Sequence, residues 1–204
     1  DHRDLHLSIR RQRQMCIRDR LREDGFSTPV EDPNMLNSWK SSLQVLEDAG
    51  AQLAEIDLTE IATLWLTSNV ILAVEAAAFH TPYLIKHYSD YGEFCKDRLL
   101  SAFAFSGGDF VKAQKIRQTI RSKWNHLLKD FDLLVTHSQP EKTPLLDEPS
   151  STRFMNSFNI LGWPAMSVPV GRDSDGLPLG IQLVAKPWQE ELLLRAAQTI
   201  ESSQ

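Results

Sequence analysis

Residues 159–196 read NILGWPAMSVPVGRDSDGLPLGIQLVAKPWQEELLLRA, and this stretch decides the fold. Gly162 follows an apolar helical run, where a residue without Cβ ends a helix in the left-handed conformation at no steric cost. Pro164 fixes the entry to a strand, AMSVPV at 165–170. GRDSDGLP at 171–178 is a polar, Gly-rich hairpin connection with Asp175-Gly176 as the turn signal. LGIQLVA at 179–185 is the return strand, and Pro187 ends it. Glu190 and Glu191 sit where the first turn of a helix favours acidic side chains. Leu192, Leu193, Ala196, Ala197 and Ile200 fall on one face of that helix. A helix end, a hairpin and a second helix are legible here, yet no nucleophile motif, metal cluster or phosphate loop accompanies them.

Working outward, Met35, Leu36, Trp39, Leu43 and Leu46 recur at helical spacing, with Gly50 as the C-cap. AQLAEIDL at 51–58 reads as a strand leading to Thr59 as an N-cap. Residues 60–80 read as a long, mostly buried helix that stops before Pro82. Another helix is expected from near Gly92 to about Phe105, and SGGD then forms a turn with Asp109 capping the next helix. That helix, 110–130, carries a stripe of Phe110, Ala113, Ile116, Ile120, Trp124, Leu127 and Phe131, which reads as packing rather than a cofactor box. DLLVTH at 132–137 is a buried strand. Pro140, Pro144 and Pro149 make 138–150 an irregular loop. STRFMNSFNIL is a short helix ended by Gly162. Alternating strand and helix patterns over 24–204 predict a layered α/β fold.

Composition sets the class. The chain has 204 residues, 42% apolar and 24% charged, as in soluble globular proteins. Cys16 and Cys95 lie far apart, which suits a reducing, cytoplasmic setting and argues against a disulfide scaffold. The apolar run NVILAVEAAAF at 69–79 is shorter than a bilayer span and carries Glu75, so a buried helix rather than a membrane segment is expected. Residues 1–22 hold seven arginines against three aspartates, and the remainder holds 15 basic against 24 acidic residues. The basic stretch SIRRQRQMCIRDRLR has no aromatic interleaving and no helical apolar face, so a nucleic-acid arm is not favoured. It resembles translated adapter sequence, and residues 1–23 are expected to be a non-native or disordered tail.

Candidate chemistry is sparse. FSGGDF at 105–110, with Ser106, Gly107 and Gly108, is the one Gly-rich serine turn, and it reads as a helix–helix connection rather than an oxyanion site. Ser41-Ser42, Ser150-Ser151 and Ser202-Ser203 lack glycines. The six histidines form no ligand cluster. His137 stands at the C-terminal end of a buried strand, where ligands collect in open α/β sheets. Arg98 in KDRLLSAF and Arg153 in STRFMNSF are set among apolar residues, and either could clamp a substrate carboxylate or simply snorkel. His137, Arg98 and Arg153 are therefore the substrate-binding candidates.

FNILGWPAMSVPVGRDSDGLPLGIQLVAKPWQEELLLRAAQTIE resembles the C-terminal part of the amidase signature family. SLQVLEDAGAQLAEIDL, GGDFVKAQKIRQTIR and FDLLVTHSQP follow the family in order, and the likeness covers roughly residues 30–201. The combination of G-x-P-A-x-S-V-P with G-L-P-x-G-x-Q-L is its most specific feature. The resemblance implies part of an α/β/α fold with a central mixed β-sheet, of which this is the C-terminal portion. It also implies amide hydrolysis with no metal or organic cofactor, through a serine nucleophile, a bridging serine and a lysine base. None of those three motifs matches here. Lys40 precedes Ser41-Ser42 in a helical pattern without glycines, so no catalytic residue is carried over and this length alone is expected to be inactive. Partners expected are a small-molecule amide substrate, no nucleic acid for the core, no membrane, and room for a homodimer of the full-length enzyme. THSQP places His137 where relatives often carry proline, and Thr152 and Arg153 stand where amidotransferase subunits carry an acid. A stand-alone amidase is thus favoured over the amidase subunit of a tRNA-dependent amidotransferase, or over a non-catalytic binding module of the same architecture.

Overall fold

Two strands with apolar residues facing both ways need helices on both sides, and the fold supplies them. The computed structural model describes residues 15–17, 33–54, 56, 58, 60–139, 143–145 and 152–203. Its strands are β1 (Met15–Ile17), β2 (Leu53–Ala54), β3 (Leu133–His137), β4 (Ala165–Arg172) and β5 (Pro178–Ala185). Its α-helices are α1 (Pro33–Asp48), α2 (Ile61–Lys86), α3 (Glu93–Ser101), α4 (Gly107–Leu127), α5 (Arg153–Leu161) and α6 (Glu190–Glu201). The sheet order is β2-β1-β3-β5-β4. β1 runs parallel to β2 and β3, whereas β5 is antiparallel to both β3 and β4, so the sheet is mixed as expected.

Strand periodicity sorts the core into two layers. Leu133 and Val135 of β3 join Ile181, Leu183 and Ala185 of β5 against α1 and α6. Leu134 and Val184 point the other way, into a cluster with α2, α4 and α5. There Trp124 packs against Phe158 and Trp163, with ring centroids 6.1 and 6.3 Å apart. Every apolar position expected on the last helix is buried. α5 ends at Gly162, whose φ of 68° is the predicted left-handed cap. Gly176 has φ 81° in the hairpin turn, where the Asp173 carboxylate accepts from the amides of Asp175 and Leu177. Pro169 is tolerated because β4 is an edge strand, and a register shift follows between Pro169 and Gly171.

Four expectations change. The long helix does not stop before Pro82 but continues to Lys86. Proline removes a single main-chain bond near the helix end, and the bond from His87 N to Tyr83 O still closes the last turn at 2.8 Å. Nor is α2 mostly buried: Leu66, Leu72, Phe79, Tyr83 and Ile85 are exposed. By length and composition it could cross a membrane, yet it packs on α4 and α5 through Leu64 and Ile71. Asp109 is not the N-cap of α4. Ser106 is, accepting from Asp109 N while the Asp109 carboxylate accepts from Ser106 N, and the helix starts at Gly107. The strand expected over 51–58 shrinks to Leu53–Ala54, with Ile56 and Leu58 buried beyond it.

β1 falls inside the stretch expected to be a tail. Met15–Ile17 is the one run of three apolar residues within 1–22, and it fills the gap between β2 and β3. The rest of that stretch, Thr59, Ser150 and Ser151 lie outside the described residues. At the turn after β5, Trp188 adopts φ 68°, a conformation that costs a non-glycine residue strain.

One polar staple ties the start of α2 to α4. The Glu60 carboxylate accepts from Lys123 Nζ and from Trp124 Nε1, the latter at 3.1 Å. Burial alone would raise its carboxyl, but the hydrogen bonds from Lys123 and Trp124 outweigh it and hold the group below its ordinary value of 4.5. A depressed carboxyl stabilises the fold above its unfolded value and loses that contribution as pH falls through the folded one. The stability advantage over Glu60→Gln, measured by chemical denaturation, is therefore expected at neutral pH and should vanish under acid. An advantage that persists unchanged below the depressed value contradicts the staple. The exposed apolar residues of α2 and α3, Phe79, Ile85 and Phe94 among them, also predict that the isolated chain self-associates and binds apolar dyes. A dye-silent monomer with sharp cooperative unfolding is the contrary result.

Candidate functional site

Three strands bring polar side chains into one row. Thr136, Gln182 and Ser167 are direct neighbours across β3, β5 and β4. All three therefore share the sheet face opposite to Leu183 and Val135. Gln182 Nε2 donates to Thr136 Oγ1 at 3.0 Å, in full burial. Ser138 lies one residue beyond β3, and its amide donates to the Gly180 carbonyl at 3.4 Å. Its hydroxyl meets that of Ser167 at 2.9 Å.

That meeting spans β5, and Gly180 makes it possible. A Cβ built on Gly180 would stand 3.0 Å from Ser167 Oγ and 3.3 Å from Ser138 Oγ. The pair opens on a cavity of about 390 Å³, lined also by Gln139, Thr143, Met35 of α1 and Met155 of α5. Its wall offers hydroxyls and an amide, groups that donate and accept without carrying charge. Among the described residues no Lys, Arg, His, Asp or Glu lines it, and the groups present can orient a neutral polar group.

The substrate-binding candidates are not brought together. His137 is fully buried on the opposite sheet face, its ring stacked on Trp39 of α1 at 5.2 Å, and it lines neither described cavity. Residue parity explains this: 137 faces the other way from Ser138. Arg153 is buried in the first turn of α5, 5.6 Å over the Phe154 ring, and also lines neither. Arg98 stands on the wall of a second cavity, between α2 and α3, that shares no residue with the first. Among the described residues no group of three His, Cys, Asp or Glu is gathered as metal ligands would be.

Other serines resolve into structure. Ser106 Oγ donates to the Asp109 carboxylate at 2.7 Å, and this bond with the one from Ser106 N holds that carboxyl below its ordinary value. Ser42 Oγ donates to the Ser38 carbonyl one turn back. The residues missed from sequence are Ser138, Ser167, Gly180 and Gln182. Three of them stand in the G-x-P-A-x-S-V-P and G-x-Q-L motifs, and pairing those two strands would have put them side by side.

Gly180 carries no positive φ, so alanine there tests packing and not backbone strain. Gly180→Ala is expected to destabilise the protein by about 1–3 kcal/mol. Adding Ser167→Ala should recover much of that loss in a double-mutant cycle. Strict additivity in denaturant titrations contradicts the contact.

The amidase family profile matches residues 22–194. Fatty acid amide hydrolase of Oryza sativa subsp. indica is 30% identical over 187 residues, covering 84% of this chain and 31% of that protein. A glutamyl-tRNA(Gln) amidotransferase subunit of Rhodospirillum rubrum is 29% identical, covering 83% and 40%. Among solved structures, Kluyveromyces lactis allophanate hydrolase superposes with a TM-score of 0.75 at 26% identity, over 94% of this chain and 32% of that one. The chain thus spans less than half the length of these relatives. The serine-bearing hairpin, the three-layer mixed sheet and a profile match over most of its length place the chain in the amidase family.

Proposed function

We propose that the chain is the C-terminal portion of an amide hydrolase whose serine nucleophile, bridging serine and lysine base are supplied by polypeptide outside it. The profile match over residues 22–194 carries this reading. In the proposed reaction the serine oxygen attacks the carboxamide carbon, and its proton passes through the lysine to the leaving nitrogen. Ammonia or an amine departs, and water then hydrolyses the acyl-serine to the acid. The serine-lined cavity is the wall facing that chemistry. Ser138, Ser167 and Gln139 would hold the neutral amide by hydrogen bonds, and Met35 and Met155 would pack its apolar part.

The amidotransferase reading calls for a carboxylate to meet the α-ammonium of glutamine. Among the described residues neither cavity has an Asp or Glu in its lining, which favours an amide without a free amino group. Ammonia and amine release from primary and N-alkyl carboxamides tests the proposal, comparing the 204-residue chain with the product of a longer reading frame that contains it. Turnover is expected only from the longer protein, and Ser167→Ala should lower its kcat/KM by about tenfold, as loss of one substrate hydrogen bond. No turnover by the longer protein refutes the hydrolase. Release from glutamine that needs tRNA and partner proteins supports the amidotransferase instead. A native start codon near residue 24 supports the binding module.

A further inference from the structure

The cavity between α2 and α3 plays no part in the proposed reaction, and its chemistry differs. Its interior is apolar, with Leu72, Ala73 and Ala76 of α2 facing Leu99 of α3 and Phe105. Ala73 and Ala76 are neighbours on one helix face, and their small side chains leave the space open. The volume of about 430 Å³ suits a small molecule. Asn69 and His80 stand about three turns apart on α2, and Arg98 projects from α3. His80 Nδ1 shares a hydrogen bond of 3.0 Å with Tyr91 Oη, which fixes the ring.

Charge decides what would enter. Among the described residues no Asp or Glu lines the cavity. Glu93, in the first turn of α3, is bonded to Lys96 at 2.8 Å. Arg98 is exposed, lies 5.7 Å over the Phe94 ring, and makes no ion pair among the described residues. An aromatic ring behind a guanidinium orients its plane and leaves the donor edge open. A planar cation beside an acid-free apolar cavity matches a carboxylate with an apolar body.

We propose that the α2–α3 cavity binds a small amphipathic carboxylate, its tail along Ala73 and Ala76 and its head group on Arg98. A straight-chain acid of about ten carbons fits a site of this size.

The test uses decanoic acid with a terminal diazirine as the photoreactive probe, on the whole chain, with crosslinks mapped by peptide mass spectrometry. Labels are expected on α2 and α3, within residues 69–105. Decanoate should compete about tenfold better than decan-1-ol, because only the acid engages Arg98. Arg98→Gln should cut labelling by a similar factor, Arg98→Lys should keep part of it, and Ala76→Phe should abolish it. Equal competition by the alcohol overturns the proposal, and this comparison needs no variant. Labels scattered over exposed aromatic residues such as Trp188 overturn it too, as does labelling indifferent to Arg98→Gln in a variant with unchanged circular dichroism.

Discussion

The register that sets Thr136, Gln182 and Ser167 side by side across three strands is the constraint on which the rest depends. A slip of one residue in β5 would turn Gln182 toward α1 and α6 and send Leu183 into the polar row. Both core layers are sorted by this register, because Ile181, Leu183 and Ala185 feed one and Val184 feeds the other. The buried bond between Gln182 and Thr136 penalises the slip further, since each group would lose its partner away from water. The hairpin turn at Asp173–Gly176 and the cap at Gly162 fix the two ends of the same unit.

The two cavities divide recognition between them. One lies at the strand ends and is lined by uncharged hydrogen-bonding groups, and the other lies between helices and joins an apolar interior to a single guanidinium. Among the described residues neither is lined by an acidic side chain, although the chain has a net charge of −5. The acids serve elsewhere, as at the first turn of α6, in the Ser106–Asp109 cap and in the Glu60 staple. Negative charge spread over the surface in this way does little to repel an anion inside a cavity, because exposed charges are screened beyond about a Debye length.

Much of this was legible in the sequence where local rules act alone. Gly162, Asp175-Gly176 and the face of α6 follow from cap, turn and period. Pro82 misled because a single lost bond near a helix end is cheap when neighbouring bonds hold. Asp109 reads as the cap in the sequence, whereas Ser106 is the cap and Asp109 stands in the first helical turn, since either side chain can cap and only the helix start decides. His137 was correctly placed at a strand end, yet its direction depends on which face β5 offers to α1, a tertiary fact. The serine pair was hidden for the same reason: Ser138 and Ser167 are 29 positions apart and meet only over a third strand.

Gly180 ties that meeting to a single small residue. The space above it is shared by two hydroxyls from distant parts of the chain, so the three positions are coupled by packing. A side chain at 180 would press on both hydroxyls at once, and each would have to give by a few tenths of an ångström. One methyl group there is thus felt at two distant places in the chain.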